Sequence, residues 1–352
     1  MDTRSQEIKQ LAQHFAEGPA IFTTSPLYQS FCKVVAQDQP VLELLTQRQT
    51  GQQASFLLFG AIHYLLLSGA QHPLRDFYPS LVDRVTASPG EAGPELLDFC
   101  HTYRNELETL IRTRLVQTNV VKRSVGLLVA LRAVRMRGVE RVHLIEVGTS
   151  AGIHLHVDRY RYLIGGLVFG QQDSKVVVET QWRGKQPPDF DARPQIVGRL
   201  GIDLHPVDAA NPEERLWLRA LVWPENQHEA DQLSAALESI ASAPPTIIAG
   251  DAIDVCPALG KQLPPGEARI VFHAATRMHV PINRRAAFDA AIDTLGEDGP
   301  LYHIWHEPAS APHAGMPSDP RGVLALHGPG DDQPVSLAQV SGHLDWIELL
   351  DD

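Results

Sequence analysis

Cysteine is scarce. Cys32, Cys100 and Cys256 are three in 352 residues, odd in number and far apart, with no C-x-x-C pair, which excludes a disulfide framework and a structural zinc knuckle. Positive charge is also in deficit: 30 Lys and Arg against 42 Asp and Glu give a formal charge of −12, which argues against a dedicated nucleic-acid surface. No long apolar run exists. The most apolar stretch, Phe56–Leu67, is interrupted by Gly60 and His63 and is too short to span a bilayer. The N-terminus, Met1-Asp2-Thr3-Arg4, leads into a polar amphipathic segment rather than a signal-peptide core; the expected compartment is the cytoplasm. Metal-ligand spacing is missing too. On a helix His154 and His156 point about 200° apart, so no metal is expected, and His154 with Asp158 reads as a surface pair at i and i+4. What is present, 43% hydrophobic and 20% charged residues, is the composition of a folded globular chain of one large or two ordinary domains.

Two textures follow one another. Residues 1–138 read as an all-helical cap region: Ile8, Leu11, Ala12 and Phe15 lie on one face, and Phe56–Leu67 reads as a buried helix. From 139 to 352 short β-branched runs alternate with helical stretches. Val142–Val147, Val176–Val178, Thr246–Ala249, Ile270–Phe272 and Leu301–Trp305 predict a mostly parallel sheet covered on both faces. Ile153–Arg161 reads as helix, and Asn211-Pro212-Glu213-Glu214 is a capped helix start. Val323–Leu326 and Trp346–Leu349 are expected to close the sheet as an antiparallel pair. A helical insertion is expected over about 201–240.

The chemistry concentrates at Leu144–Gly152, L-I-E-V-G-T-S-A-G. A strand feeding a glycine turn and a helix start presents backbone N–H groups to a ligand. Gly148 and Gly152 let the backbone approach that ligand; Glu146, Thr149 and Ser150 add polar groups. An acid at the tip of the second strand is where Rossmann-type sites take ribose hydroxyls, which points to Glu179. Thr246–Ala249 runs into Gly250-Asp251-Ala252, where Asp251 can accept from an adenine amino group. His273, at the end of a further strand, is the candidate general base. His306 and Glu307 share its rim. Arg112–Arg123 carries four cations around Gln117-Thr118-Asn119, and Asn119 and Arg123 share a face at i and i+4, which makes both, with His306, candidates for substrate contact.

Gly148-Thr149-Ser150-Ala151-Gly152 is also G-x-S-x-G, a nucleophile elbow. A serine hydrolase using Ser150 needs an oxyanion hole, yet no H-G-G-G or glycine-rich triplet lies upstream. A non-catalytic binder of a nucleotide-like ligand is the third reading.

Further motifs run through most of the chain. They are His72-Pro73-Leu74 with Tyr78-Pro79-Ser80, Val116-Gln117-Thr118-Asn119, Glu146–Gly152 with Asp158-Arg159-Tyr160, Gly201-Ile202-Asp203-Leu204, Trp217–Pro224, Gly250-Asp251-Ala252 and Val271-Phe272-His273. With these the chain resembles the bacterial domain of unknown function 2332 family, whose members are similar to class I S-adenosylmethionine (SAM)-dependent methyltransferases. That resemblance implies a Rossmann-like α/β fold and a methyltransferase on a small-molecule acceptor, with SAM as cofactor; the charge and the lack of a long apolar run lead to no nucleic acid and no membrane being expected as partner. It implies the methionine moiety over 148–152, ribose at Glu179 and adenine near Asp251 and Ala252. The middle glycine of the usual loop is Ser150 here, and His154 and His156 replace the family's Asn and Leu.

Overall fold

In the computed structural model, which describes residues 3–307 and 322–350, three helices start by one device. Ser25, Asp38 and Asn211 accept the backbone N–H groups of Tyr28, Val41 and Glu213 at 3.2, 2.9 and 2.9 Å, each with proline in the first two helical positions. The side-chain oxygen satisfies an otherwise orphaned donor, and proline there has no N–H to lose.

These helices belong to the first of two compact units, made of residues up to Thr118 together with Asn211–Ser234. Its centre is the helix Ala54–Leu67, ten of whose residues are buried. Phe59 packs on Tyr28 at 4.7 Å and Phe31 at 5.5 Å between ring centroids, and Phe22 meets Trp223 at 5.2 Å. Gly60 is glycine for room: a Cβ there would lie 2.8 Å from Leu221. His63, buried in the same helix, donates to Ala220 O at 3.0 Å and accepts from Ser80 at 2.7 Å. Burial first of all, with a push from Arg219, brings its pKa down to about 4.

The second unit comprises Asn119–Ala210 and the residues from Ala235 onward. Its eleven strands are β1 (Arg141–Val147), β2 (Arg161–Ile164), β3 (Leu167–Gly170), β4 (Val177–Arg183), β5 (Gln195–Asp203), β6 (Thr246–Ala249), β7 (Ala268–Ala274), β8 (Leu301–Glu307), β9 (Val323–His327), β10 (Val335–Val340) and β11 (Trp346–Leu349). They form one sheet in the order β3-β2-β4-β11-β10-β9-β8-β7-β1-β5-β6. β8, β7, β1, β5 and β6 are parallel neighbours, whereas β8 through β11 alternate in direction. This is a mixed α/β architecture with a mostly parallel sheet. After β1 the chain crosses toward the far edge of the sheet for β2, β3 and β4, returns to lay β5 and β6 on one side of β1, and then lays β7 and β8 on its other side. The strand tips therefore diverge between β1 and β7, the place where open α/β sheets take ligands. Ile145, Val147, Ile202 and Val271 form one apolar layer with Cys256, Phe288 and Ile292.

Several expectations are corrected. β9 and β11 both exist, but β10 lies between them, antiparallel to each, and β11 continues in parallel to β4 rather than closing an edge. The strand beside β1 is β5, not the Val176–Val178 run, which belongs to β4 with five strands between it and β1. Ile153–Arg159 is 3-10 helix kinked at His156, and β2 starts at Arg161. His154 and Asp158 are not a surface pair: His154 is buried, and Asp158 pairs with Arg199 at 2.7 Å.

Candidate functional site

The turn after β1 is closed by its own residues. Glu146, 3% exposed, accepts from Thr149 Oγ1 and His154 Nδ1, each at 2.7 Å. The other ring nitrogen of His154 lies 3.0 Å from Val120 O. His154 is thus held between two oxygen atoms, one from Glu146 and one from the Val120 carbonyl. The Ser150 N–H donates to Asp203 Oδ2 at 2.7 Å, and Asp203 Oδ1 accepts from His205 N at 2.8 Å. Asp203 thus sits at the tip of β5 as the acid beside the turn. The Asn119 amide donates to Ser150 Oγ at 3.0 Å. Asn119 precedes a short 3-10 segment, Val121–Arg123, so it reaches the turn without sharing a helical face with Arg123.

The glycines of the turn serve this packing. Gly148 has φ +75°, a conformation costly for other residues, and a Cβ there would come within 2.5 Å of Thr276 Cγ2. The hollow expected to admit a ligand is filled by Thr276, whose hydroxyl donates to Val147 O at 3.2 Å. A Cβ at Gly152 would meet Pro245 and Ile247 at 3.2 and 3.3 Å. Ser150 itself is left-handed at φ +51°.

Thr276 is held in turn by Glu307, at the tip of β8. The Glu307 carboxylate accepts from Thr276 N and Arg277 N at 2.9 Å, Met278 N at 3.3 Å and His273 Nδ1 at 2.7 Å. Burial alone would raise this carboxyl, but the hydrogen bonds and charge of the His273 ring and the two closer amides outweigh it and hold the pKa down at about 2. His273 is wholly buried, and its second ring nitrogen faces His303 Nε2 at 3.1 Å. The structure therefore places His273 behind the strand tips, with both nitrogens engaged inside the protein, not at the crevice where a base is expected.

Other expected residues are distributed unevenly. Asp251 caps the helix Ala252–Gly260 through Ile253 N at 3.0 Å and pairs with Arg284 at 3.0 Å, with Ala252 as the first helical residue. Glu179 lies inside β4, exposed, and is not brought to the turn. His306 is 4% exposed, with an Nδ1 that has no hydrogen-bond partner; burial foremost, then Arg123, lowers its pKa to about 3. Arg123 is part-buried, its Nε sealed and unpartnered. Sequence reasoning missed Asp203 and Thr276. The run Ile196–Asp203 carried the signal for Asp203, but Gly198 and Gly201 disguised the strand; they lie under His143 and Thr149, leaving no room for a Cβ.

Among the described residues one group has ligand atoms close enough for a metal, His72, Glu95 and Asp98 in the first unit. His72 Nδ1 accepts from Leu74 N at 3.0 Å. Its proton is therefore on Nε2, directed at Asp98 Oδ2 at 3.0 Å, and no lone pair faces the acids.

Residues 9–349 match the model of a family described as an uncharacterized protein conserved in bacteria, DUF2332. The chain belongs to the DUF2332 family. No curated protein and no solved structure matches this DUF2332 chain. No helix among its described residues is long and apolar enough to cross a membrane.

Proposed function

We propose that this DUF2332 chain is a SAM-dependent methyltransferase with a Rossmann-like core, acting on a small-molecule acceptor. The observation that carries the reading is spatial order. β1 ends in the E-x-G-x-S-x-G turn, and the next two parallel strands, β5 and β6, end in Asp203 and in Gly250-Asp251. Acid-tipped neighbours beside a glycine turn are the arrangement that takes an adenosyl ligand. Asp203 thereby assumes the ribose role that the sequence had pointed to Glu179.

The residues present fit such a ligand at its adenosyl end. The carboxylates of Asp203, which takes the Ser150 and His205 N–H groups, and of Asp251, which takes the Ile253 N–H and the Arg284 guanidinium, are acceptors of the kind that bind hydroxyl and amino groups of an adenosyl ligand. The hollow at Gly148 belongs to Thr276, so the ligand lies against other faces of the turn. SAM supplies an electrophilic methyl group. The chain supplies position, the largest share that holding two reactants in line can give. With His273 enclosed, the acceptor must be a nucleophile that needs no proton removed by that ring.

The test is a thermal-unfolding scan with SAM and with S-adenosylhomocysteine on wild type and Asp251→Asn, a variant that retains a helix cap. A ligand at about one hundred times its dissociation constant adds roughly 2.7 kcal/mol, several degrees for a unit of this size. A shift in wild type that shrinks in the variant supports the reading; no shift with either ligand in folded protein sinks it. The left-handed Ser150 in G-x-S-x-G favours one second reading, a serine hydrolase. Covalent labelling of Ser150 by a fluorophosphonate probe would establish that alternative, although the side chain at its hydroxyl is the Asn119 amide, not an imidazole.

A further inference from the structure

Arg123 stands where a cation should find a partner and finds none. Its segment is tied to the turn on one side by the Asn119–Ser150 bond at 3.0 Å and the Val120–His154 bond at 3.0 Å. Two carboxylates, Glu146 at the tip of β1 and Glu307 at the tip of β8, act on it through space. Both are already committed: Glu146 to Thr149 and His154, Glu307 to His273 and three backbone amides. Neither forms a hydrogen bond or ion pair with Arg123, whose Nε is sealed from solvent without a partner. Beside it His306 is buried with an equally unpartnered Nδ1. Sealing a guanidinium N–H without a partner costs free energy, since that donor loses water and gains nothing. A protein retains such an arrangement where a ligand completes it.

We propose that Arg123 is the anchor for a carboxylate on the ligand of this crevice, gripped by the planar guanidinium fork with His306 alongside. Arg is the side chain suited to two-point recognition of a carboxylate. The inference deepens the proposed function and rests on its reading of the strand tips as a ligand site. A carboxylate can come from two sources here: the amino-acid end of the cofactor, or an acidic acceptor.

Wild type, Arg123→Gln and Arg123→Lys, each as the full chain, are titrated calorimetrically with three kinds of probe. S-adenosylhomocysteine carries an amino-acid carboxylate; 5′-methylthioadenosine shares its adenosyl thioether and lacks that group. A set of small carboxylic acids is matched, acid by acid, with the primary amides. Loss of a charge-assisted pair should weaken carboxylate binding in Arg123→Gln by roughly tenfold to a hundredfold and leave the neutral partner unchanged. A loss for S-adenosylhomocysteine but not 5′-methylthioadenosine assigns the carboxylate to the cofactor. A lost preference for acids over amides, with S-adenosylhomocysteine unaffected, assigns it to the acceptor. Wild type that binds neither adenosyl compound removes the methyltransferase reading and leaves the acid–amide comparison to decide this one. Should Arg123→Gln fail to fold, Arg123→Lys, which keeps the charge but not the fork, carries the comparison with a smaller loss. A purely structural arginine would lower the unfolding midpoint of ligand-free protein when replaced; a ligand anchor leaves it unchanged or raises it. No preference for any acid over its amide in wild type, with equal S-adenosylhomocysteine affinity in wild type and variants, overturns the proposal.

Discussion

Gly148→Ala separates a glycine kept for packing from one kept for a ligand. At φ +75° an L-residue is strained, at a cost of about 1–2 kcal/mol. The added methyl would also lie 2.5 Å from Thr276 Cγ2 and 2.9 Å from Thr276 Cβ, an overpacking worth about 1–3 kcal/mol. Together these come to roughly 2–5 kcal/mol, which for a unit of about two hundred residues lowers the unfolding midpoint by roughly 4–20 °C. The assay is calorimetry on ligand-free protein. Thr276→Gly removes every atom in the clash, so the double variant should recover the steric part, a coupling of about 1–3 kcal/mol. The backbone part should persist, because φ is not changed by emptying the hollow. A Gly148→Ala protein with the wild-type midpoint that no longer binds S-adenosylhomocysteine would refute the reasoning: the hollow would then be the ligand's and not Thr276's.

Four further outcomes are expected. His156 is buried, donates to Ala243 O at 3.1 Å and has its pKa lowered to about 4, chiefly by burial, then by Arg159 and Arg199. Its folded value lies below the unfolded one near 6.5, so its stabilisation is complete above that pH and is lost as pH falls toward about 4; urea midpoints against pH should show this slope, flattened in His156→Gln. Glu307, held at about 2, contributes stability above its unfolded value near 4.5 that is lost as pH falls toward about 2, so Glu307→Gln should flatten that second, more acidic limb. Asp203→Asn puts an amide where two backbone N–H groups donate and should cost about 1–3 kcal/mol, with faster hydrogen exchange at the Ser150 amide. Cys32, Cys100 and Cys256 are free and buried, their thiols pushed up to about 12 by burial, so a thiol reagent should label none of them in native protein and all three after unfolding.

What the sequence made legible follows from what each strand buries. β1, β7 and β8 are buried over most of their length, so they read as largely apolar, β-branched and aromatic runs, and the turn after β1 stands out by its glycines. β5 does not read this way, because Gly198 and Gly201 make room for neighbouring side chains and thin its hydrophobic pattern. Its loss displaced the ribose role to Glu179, since Val176–Val178 was then the next β-branched run after β1. The β2–β3 hairpin turns at Gly165-Gly166, φ +58° and +80°, a local signal of the kind that marks two-residue turns. β10 buries only Ala338 and Val340 fully, too few positions to stand out as an apolar run. Asn119 and Arg123 were picked out as one helical face at i and i+4, a face the 3-10 segment Val121–Arg123 does not form. What brings Asn119 to Ser150 is an extended lead-in whose path no periodicity records.

The first unit is stitched from two separate stretches of chain, and this bears on how the protein is made. Residues up to Thr118 contain the helix Ala54–Leu67 but not Trp217, Ala220, Leu221 or Glu225, which supply its packing partners and, through Glu225, a 3.2 Å bond to Leu27 N. On the ribosome that helix therefore emerges with an apolar face unmatched until Ser234 has been synthesised. At typical elongation rates of 5–20 residues per second the delay is on the order of ten seconds. Through that interval the nascent chain is a natural client for chaperones, and a truncation at 118 would make the interval permanent.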